Sequence, residues 1–227
     1  MIYLIAFVLL IAVIFAPQWW ATRTFRQYSG ELTHIPGTGG DLARHLLRQF
    51  QIVGVKVEKT TAGDHYDPES KTVRLSQSNH DGRSLTAVAV AAHEVGHAIQ
   101  HHQNDRMLAL RGRLVTVART AERAGAFVMI AMPVVALLTR SPASGVMMIA
   151  LGAASMLIAT VVHLVTLPVE LDASFGKALP ILQKGAYVRP EDERVVRRIL
   201  RAAALTYVAG SLASLLNLAR WIALLRR

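Results

Sequence analysis

The sequence predicts a mainly α-helical membrane protein, with about four transmembrane or membrane-packed helices and a water-facing part that contains a small β-hairpin. Three observations carry this expectation. Of the 227 residues, 52% are hydrophobic, and the mean hydropathy is +0.35, an apolar balance for a water-soluble domain. The apolar residues gather in runs at 2–16, 124–139, 144–169 and 202–219, and about twenty helical residues suffice to cross the ~30 Å hydrocarbon layer. Lysine and arginine gather between the runs: fourteen in 21–123 and seven in 170–201, against one near 140 and three in 220–227. The positive-inside rule then places 21–123 and 170–201 on the cytoplasmic side and the N-terminus outside.

Five segments follow from this pattern: an N-terminal transmembrane anchor (1–21), a cytoplasmic part (22–123), a transmembrane helical hairpin (124–169), a second cytoplasmic segment (170–201) and a C-terminal apolar helix (202–227). The net charge of +10 is accounted for by cations flanking membrane segments. No nucleic-acid motif is present, so no nucleic-acid partner is expected. The absence of cysteine excludes disulfides and a thiolate metal site.

In chain order, Ile2–Ala16 leads to Trp19 and Trp20, which suit a membrane interface, and then to Arg23 and Arg26. A cleaved signal peptide needs a basic start and a small-x-small site; neither is clear, which favours an uncleaved anchor. Thr38-Gly-Gly-Asp41 resembles a capping box, and Leu42, Leu46, Leu47 and Phe50 have helical spacing up to a stop at Gly54. Val55–Thr60 and Lys71–Ser76 alternate like strands around a loop at Gly63–Pro68, which predicts a hairpin. Its free edge could align an extended peptide, though a plain structural hairpin is the simpler reading.

A helix from about Ser84 to His102 follows, then an amphipathic one with Met107, Leu110, Leu114, Val117 and Ala121 on one face. Pro133 predicts a kink in the next run. His163 is the polar exception in the run after that, and either a functional intramembrane group or an interface residue. Pro190-Glu-Asp-Glu193 opens a helix, and Gly210 and Ser214 offer a close-packing face in the last run.

Chemistry concentrates in Ala91–Gln100, which contains His93-Glu94-Val95-Gly96-His97. On a helix, His93 and His97 project from one face and can share a metal ion, while Glu94 can reach a water on that metal. Two neutral imidazoles, an open position and a nearby carboxylate form the usual catalytic zinc arrangement. The helix is otherwise nearly all small or apolar, and buried histidines and a buried glutamate need partners. Gly96 costs ~1 kcal/mol relative to alanine inside a helix and admits a close neighbour. Two spans would return the chain to the same side at Glu170, which makes it the best third ligand; Asp172, His163 and His101 are the rivals. The water-facing part is therefore expected to be zincin-like, with one Zn2+.

Ser70–Ser76, Gly82–Leu85, Val90–Gln100, Pro168–Ser174 and Ala202–Ala209, in this order, resemble the bacterial YugP-type neutral zinc metallopeptidases over nearly the whole chain. The resemblance implies a multi-pass zinc peptidase of the bacterial cytoplasmic membrane, with His93 and His97 as ligands and Glu94 as base. Glu170-x-x-Ala173 also resembles the Glu-x-x-Ala-Asp of HtpX-type membrane proteases, whose glutamate is the third ligand, but Ser174 stands where that family has aspartate. Asn79-His80-Asp81 departs from the YugP pattern, and Gln100 and Gln103 break the metzincin one.

The expected function is a membrane-bound endopeptidase with a gluzincin-like ligand set, acting on unfolded or membrane-associated protein, with the lipid bilayer and a peptide or protein substrate as partners. Tyr207 is a candidate for stabilising the oxyanion, or an ordinary packing tyrosine. An intramembrane zinc protease and a non-catalytic zinc-containing membrane scaffold are the alternatives. The sequence names neither a substrate nor an oligomeric state.

Overall fold

The computed structural model describes residues 16–139 and 165–206 continuously, with isolated helical positions between 146 and 162. The elements are α1 (16–27), α2 (Gly39–Gln49), β1 (Lys56–Thr60), β2 (His65–Asp67), β3 (Thr72–Ser76), α3 (Gln77–Asp81), α4 (Leu85–His102), α5 (Arg106–Thr139), α6 (165–171), a π-helical segment (Asp172–Ala178), α7 (Leu179–Lys184) and α8 (193–206). Two compact units emerge. One comprises Gln18–Ala109 and Leu167–Thr206; the other comprises Met1–Pro17, Leu110–Thr166 and Tyr207–Arg227. In the second unit, Ala118 and Val162 are buried with Leu114 and Val115 packed against them.

The first unit is built around α4. Ser84 starts this helix by accepting the Ala87 N–H at 3.1 Å, which satisfies one of the amides left over at a helix N-terminus. Every residue from Leu85 to Gln100 is buried. The alanines at 87, 89, 91, 92 and 98 keep the surface of the helix low, so that α2, α3, β2, β3, α7 and the π segment all pack on it. Leu46, Val73, Leu75, Leu182, Val196, Ile199 and Leu200 complete the core.

The capping box of α2 forms as its residues suggest. Thr38 Oγ1 accepts the Asp41 N–H at 3.1 Å, and Asp41 Oδ2 accepts the Thr38 N–H at 3.0 Å. Arg44 and Thr38 hold the Asp41 carboxyl down at about 2. The helix stops at Gln49, with Gln51 left-handed at φ 55, before the expected stop at Gly54. Gly39 and Gly40 let the first turn of α2 lie directly on its neighbours: a β-carbon at Gly39 would collide with the carbonyl oxygens of Asn79 and Ala87.

The strands do not form the expected hairpin. Sheet order is β1-β3-β2, with β1 parallel to β3 and β2 antiparallel to β3. His65-Tyr66-Asp67 is itself a strand, although turn-forming residues surround it. Arg74 of the central strand reaches toward both neighbours. It binds Asp67 on β2 at 2.7 Å and faces Glu58 on β1 at 4.0 Å, while Val73 and Leu75 point into the core. Similarly, α8 begins at 193, not at Pro190; Asp192 just before it pairs with His34 at 3.0 Å.

The membrane architecture is corrected more deeply. Among the described residues no helix is long and apolar enough to cross a membrane, so a multi-pass protein with four membrane helices is not supported. What stands is a mainly helical chain with a small sheet. In α5 the apolar stretch after Arg123 gives about 24 Å of helix before Thr139, short of the ~30 Å hydrocarbon layer. Arginines at 106, 111, 113, 119 and 123 occupy the rest of α5. The separate amphipathic helix expected after His102 is the first part of α5. The apolar face of α4 is spent inside the protein core. The other membrane readings, at 1–15, over much of 140–164 and at 207–227, lie outside the described residues, as do His163 and Tyr207.

Gly39→Ala is expected to lower stability by about 1–3 kcal/mol through overpacking. Gly112→Ala, with nothing within 4 Å of the added β-carbon, should gain up to about 1 kcal/mol of helix propensity. Thermal melting monitored by circular dichroism separates the two; equal melting temperatures would contradict the close packing at Gly39.

Candidate metal centre

Two segments far apart in sequence supply this site. On α4, His93 and His97 lie one turn apart with ring centroids 4.8 Å from each other. At the end of α6, Glu170 lies fully within the core. Its Oε2 sits 3.3 Å from Nε2 of His93 and 3.3 Å from Nε2 of His97. Ligand atoms of these three side chains lie within 4.8 Å of one another, and all three are buried.

The close approach of the segments has a cause in the backbone. A β-carbon at Gly96 would stand 2.7 Å from the carbonyl oxygen of Ala173, nearer than side-chain carbons come to such an atom, so glycine is required there. The π segment that holds Ala173 begins two residues after Glu170. Its wider turns, of a kind found mostly as short insertions at functional sites, bury Ala173 and Ser174 against α4.

The outer ring nitrogens are engaged too. Nδ1 of His97 is 2.9 Å from Oε1 of Gln100, and Nδ1 of His93 is 2.9 Å from Oγ of Ser174. Gln100 in turn donates to the Val169 carbonyl at 3.0 Å and to Asp172 Oδ2 at 2.8 Å. Both Nε2 atoms therefore converge on one carboxylate oxygen, their other nitrogens held from outside. Two imidazoles and a carboxylate are a donor set that suits zinc, and their convergence in a buried place fits a cation between them.

Glu94 is buried beside these groups. Burial pushes its carboxyl up; the two histidines pull it down, and Glu170 and Asp64 add to the rise. Asp64 is held by its own bonds, accepting the Ser76 N–H at 2.6 Å and the Asn79 amide at 2.8 Å. This ties the loop before β2 to the end of β3 and to α3.

The residues weighed as third ligand thus have different places. Glu170 meets both imidazoles. Asp172 faces the amide of Gln100, and His101 turns away, its Nδ1 2.8 Å from the Tyr66 hydroxyl. Gln100, Asp64 and Tyr66 had no role in the sequence reading. For Gln100 a signal was present: it is a polar residue one turn beyond His97 in a run that is otherwise small and apolar.

Similarity to known proteins bears on this site. The family described as "Putative neutral zinc metallopeptidase" matches residues 3–226, and the chain belongs to it. The "Putative membrane protease YugP" of Bacillus subtilis (strain 168) is 34% identical over 224 residues, covering 98% of this chain and 96% of the relative. No solved structure matches the chain.

Gly96→Ala is expected to push α4 and the π segment apart, lowering stability by about 1–3 kcal/mol and weakening zinc binding at least tenfold. Isothermal titration with zinc checks this; unchanged affinity would mean that the approach at Ala173 does not set the site.

Proposed function

We propose that this neutral zinc metallopeptidase family member is a zinc-dependent endopeptidase of the His-Glu-x-x-His type, with His93, His97 and Glu170 as the ligands and Glu94 as the base. The observation that carries this reading is the convergence of both Nε2 atoms on one oxygen of Glu170, at 3.3 Å each, with a second buried carboxylate next to His93 in sequence. Bound there, zinc supplies a Lewis acid that polarises a peptide carbonyl and acidifies a water.

The chain's own residues do the rest. His93 and His97 present neutral nitrogens, and Glu170 supplies the one formal negative charge among the ligands. Glu94 takes the proton from the attacking water and passes it to the leaving amine nitrogen. Burial that raises its carboxyl makes it a better proton acceptor than an exposed glutamate. A purely structural zinc clip has no use for this carboxylate, and keeping it buried costs desolvation; that favours the enzyme over the scaffold.

The relative's description as a membrane protease and the apolar composition of this chain support a membrane-associated protein as substrate, cut at or near a membrane; unfolded protein rests on the resemblance to HtpX-type proteases alone. Within the unit that holds the site, α4 is surrounded by protein, which disfavours cleavage directly within lipid. The oxyanion role considered for Tyr207 rests on a residue outside those described.

Glu94→Gln is expected to keep one zinc per chain and lose peptide hydrolysis by at least about 10²-fold, the usual contribution of a general base. Glu170→Ala should lose the metal. Metal analysis beside cleavage of an unfolded casein checks both; a Glu94→Gln enzyme with wild-type turnover would remove the base assignment, and full zinc in Glu170→Ala would remove the third ligand.

A further inference from the structure

The two imidazoles are held by neutral side chains whose hydrogens are fully allocated, and this decides the state of both histidines. Gln100 has two amide hydrogens and one carbonyl oxygen. Its nitrogen lies against two groups that can only accept, the Val169 carbonyl at 3.0 Å and the Asp172 carboxylate at 2.8 Å. Turning the amide over would set its oxygen against both. Oε1 therefore faces His97, and Nδ1 of His97 must carry the hydrogen that bridges the 2.9 Å between them.

Ser174 reaches the same result with a different group. A hydroxyl has one hydrogen, and Oγ gives it to the Leu200 carbonyl at 3.0 Å. Toward His93, 2.9 Å away, Oγ can then only accept. Both histidines thus carry hydrogen on Nδ1 and direct the lone pair of Nε2 toward the common point beside Glu170. Which ring nitrogen can serve as a ligand is set by the bond that the other one makes.

The same two side chains cross-link the ligand segments in opposite senses. Gln100 belongs to the helix of the histidines and grips the Glu170 segment on both sides of that ligand, at Val169 and at Asp172. Ser174 belongs to the Glu170 segment and grips the helix at His93. Gln100 is 1% exposed and Ser174 is 0% exposed, so both side chains are shielded from solvent, and only Asp172, at the outer end of one Gln100 bond, faces it. Neither partner brings a charge directly onto an imidazole; the charge of Asp172 reaches His97 only through the amide.

We propose that Gln100 and Ser174 are the positioning residues of the metal site: they preset both imidazoles as Nδ1–H tautomers, lock the two ligand segments in register, and thereby set the affinity for the metal. Asp172 orients Gln100 and acts through it. This inference rests on the zinc site proposed above and extends it beyond the ligands.

The test uses the full-length chain, with zinc affinity measured by chelator competition, the visible spectrum of the cobalt-substituted protein, and melting of the metal-free protein. Gln100→Ala and Ser174→Ala should each weaken zinc binding by about 10–100-fold and shift the cobalt bands, which report ligand geometry and which a merely structural role would leave in place. Asp172→Ala alters a half-exposed group, so it folds even if Gln100→Ala does not. Alone it should weaken zinc about 3–10-fold, and added to Gln100→Ala it should weaken zinc no further, since both lie on one path. If wild type binds no zinc, the metal site itself falls. If wild type binds one zinc and Glu170→Ala loses it, while Ser174→Ala and Asp172→Ala keep wild-type affinity and cobalt spectra, the ligand set stands and the positioning role is overturned.

Discussion

Backbone meets backbone where Gly96 of α4 faces the carbonyl of Ala173, and the rest of the site depends on that approach. With no side chain at 96, the π segment can lie directly on the helix that carries both histidines. Glu170, just ahead of that segment, is then held at one distance from both imidazoles, and Ser174, just beyond Ala173, reaches His93. A methyl group at Gly96 would displace all of these together, because they belong to one short stretch of chain.

The cost of this arrangement is a set of polar groups in an otherwise apolar core. His93, Glu94, His97, Gln100, Glu170 and Ser174 are all buried. Such groups are tolerated only where hydrogen bonds or ions satisfy them. Here an amide, a hydroxyl and backbone carbonyls are arranged so that each donor meets an acceptor, and Nε2 of both histidines lies 3.3 Å from Oε2 of Glu170. That donor set suits a cation, in agreement with the chain's membership of a zinc metallopeptidase family.

Local signals read correctly where a short stretch of sequence carries the whole physical cause. The Thr38–Asp41 box formed because both partners lie within one turn, and α4 began at Ser84 for the same reason. Pairing of strands was read less well. Alternation in Lys56–Thr60 and Thr72–Ser76 showed that two strands exist, but a hairpin was only the simplest partner choice. Arg74 bridging Glu58 and Asp67 across three strands is a relation between distant residues, and three-residue β2 is too short to show a period. The membrane reading lost support for another reason: the run at 124–139 reads as apolar, but its sixteen residues are too few to cross the hydrocarbon layer, and most of the other runs lies outside the described residues.

The sequence by itself determined the chemistry on α4: His93, Glu94 and His97 at helical spacing, a glycine between them, and a helix too apolar to face water. Those properties follow from one period and a few residue types, which no tertiary contact can alter. It also pointed to Glu170, but by counting spans that the described structure does not support. Only the tertiary structure decided that Glu170 sits between the two imidazoles and that Gln100 and Ser174 fix their hydrogens. A carboxylate some seventy residues beyond the histidines meets them only after folding, and the donor and acceptor allocation that orients each ring exists only once both segments are packed.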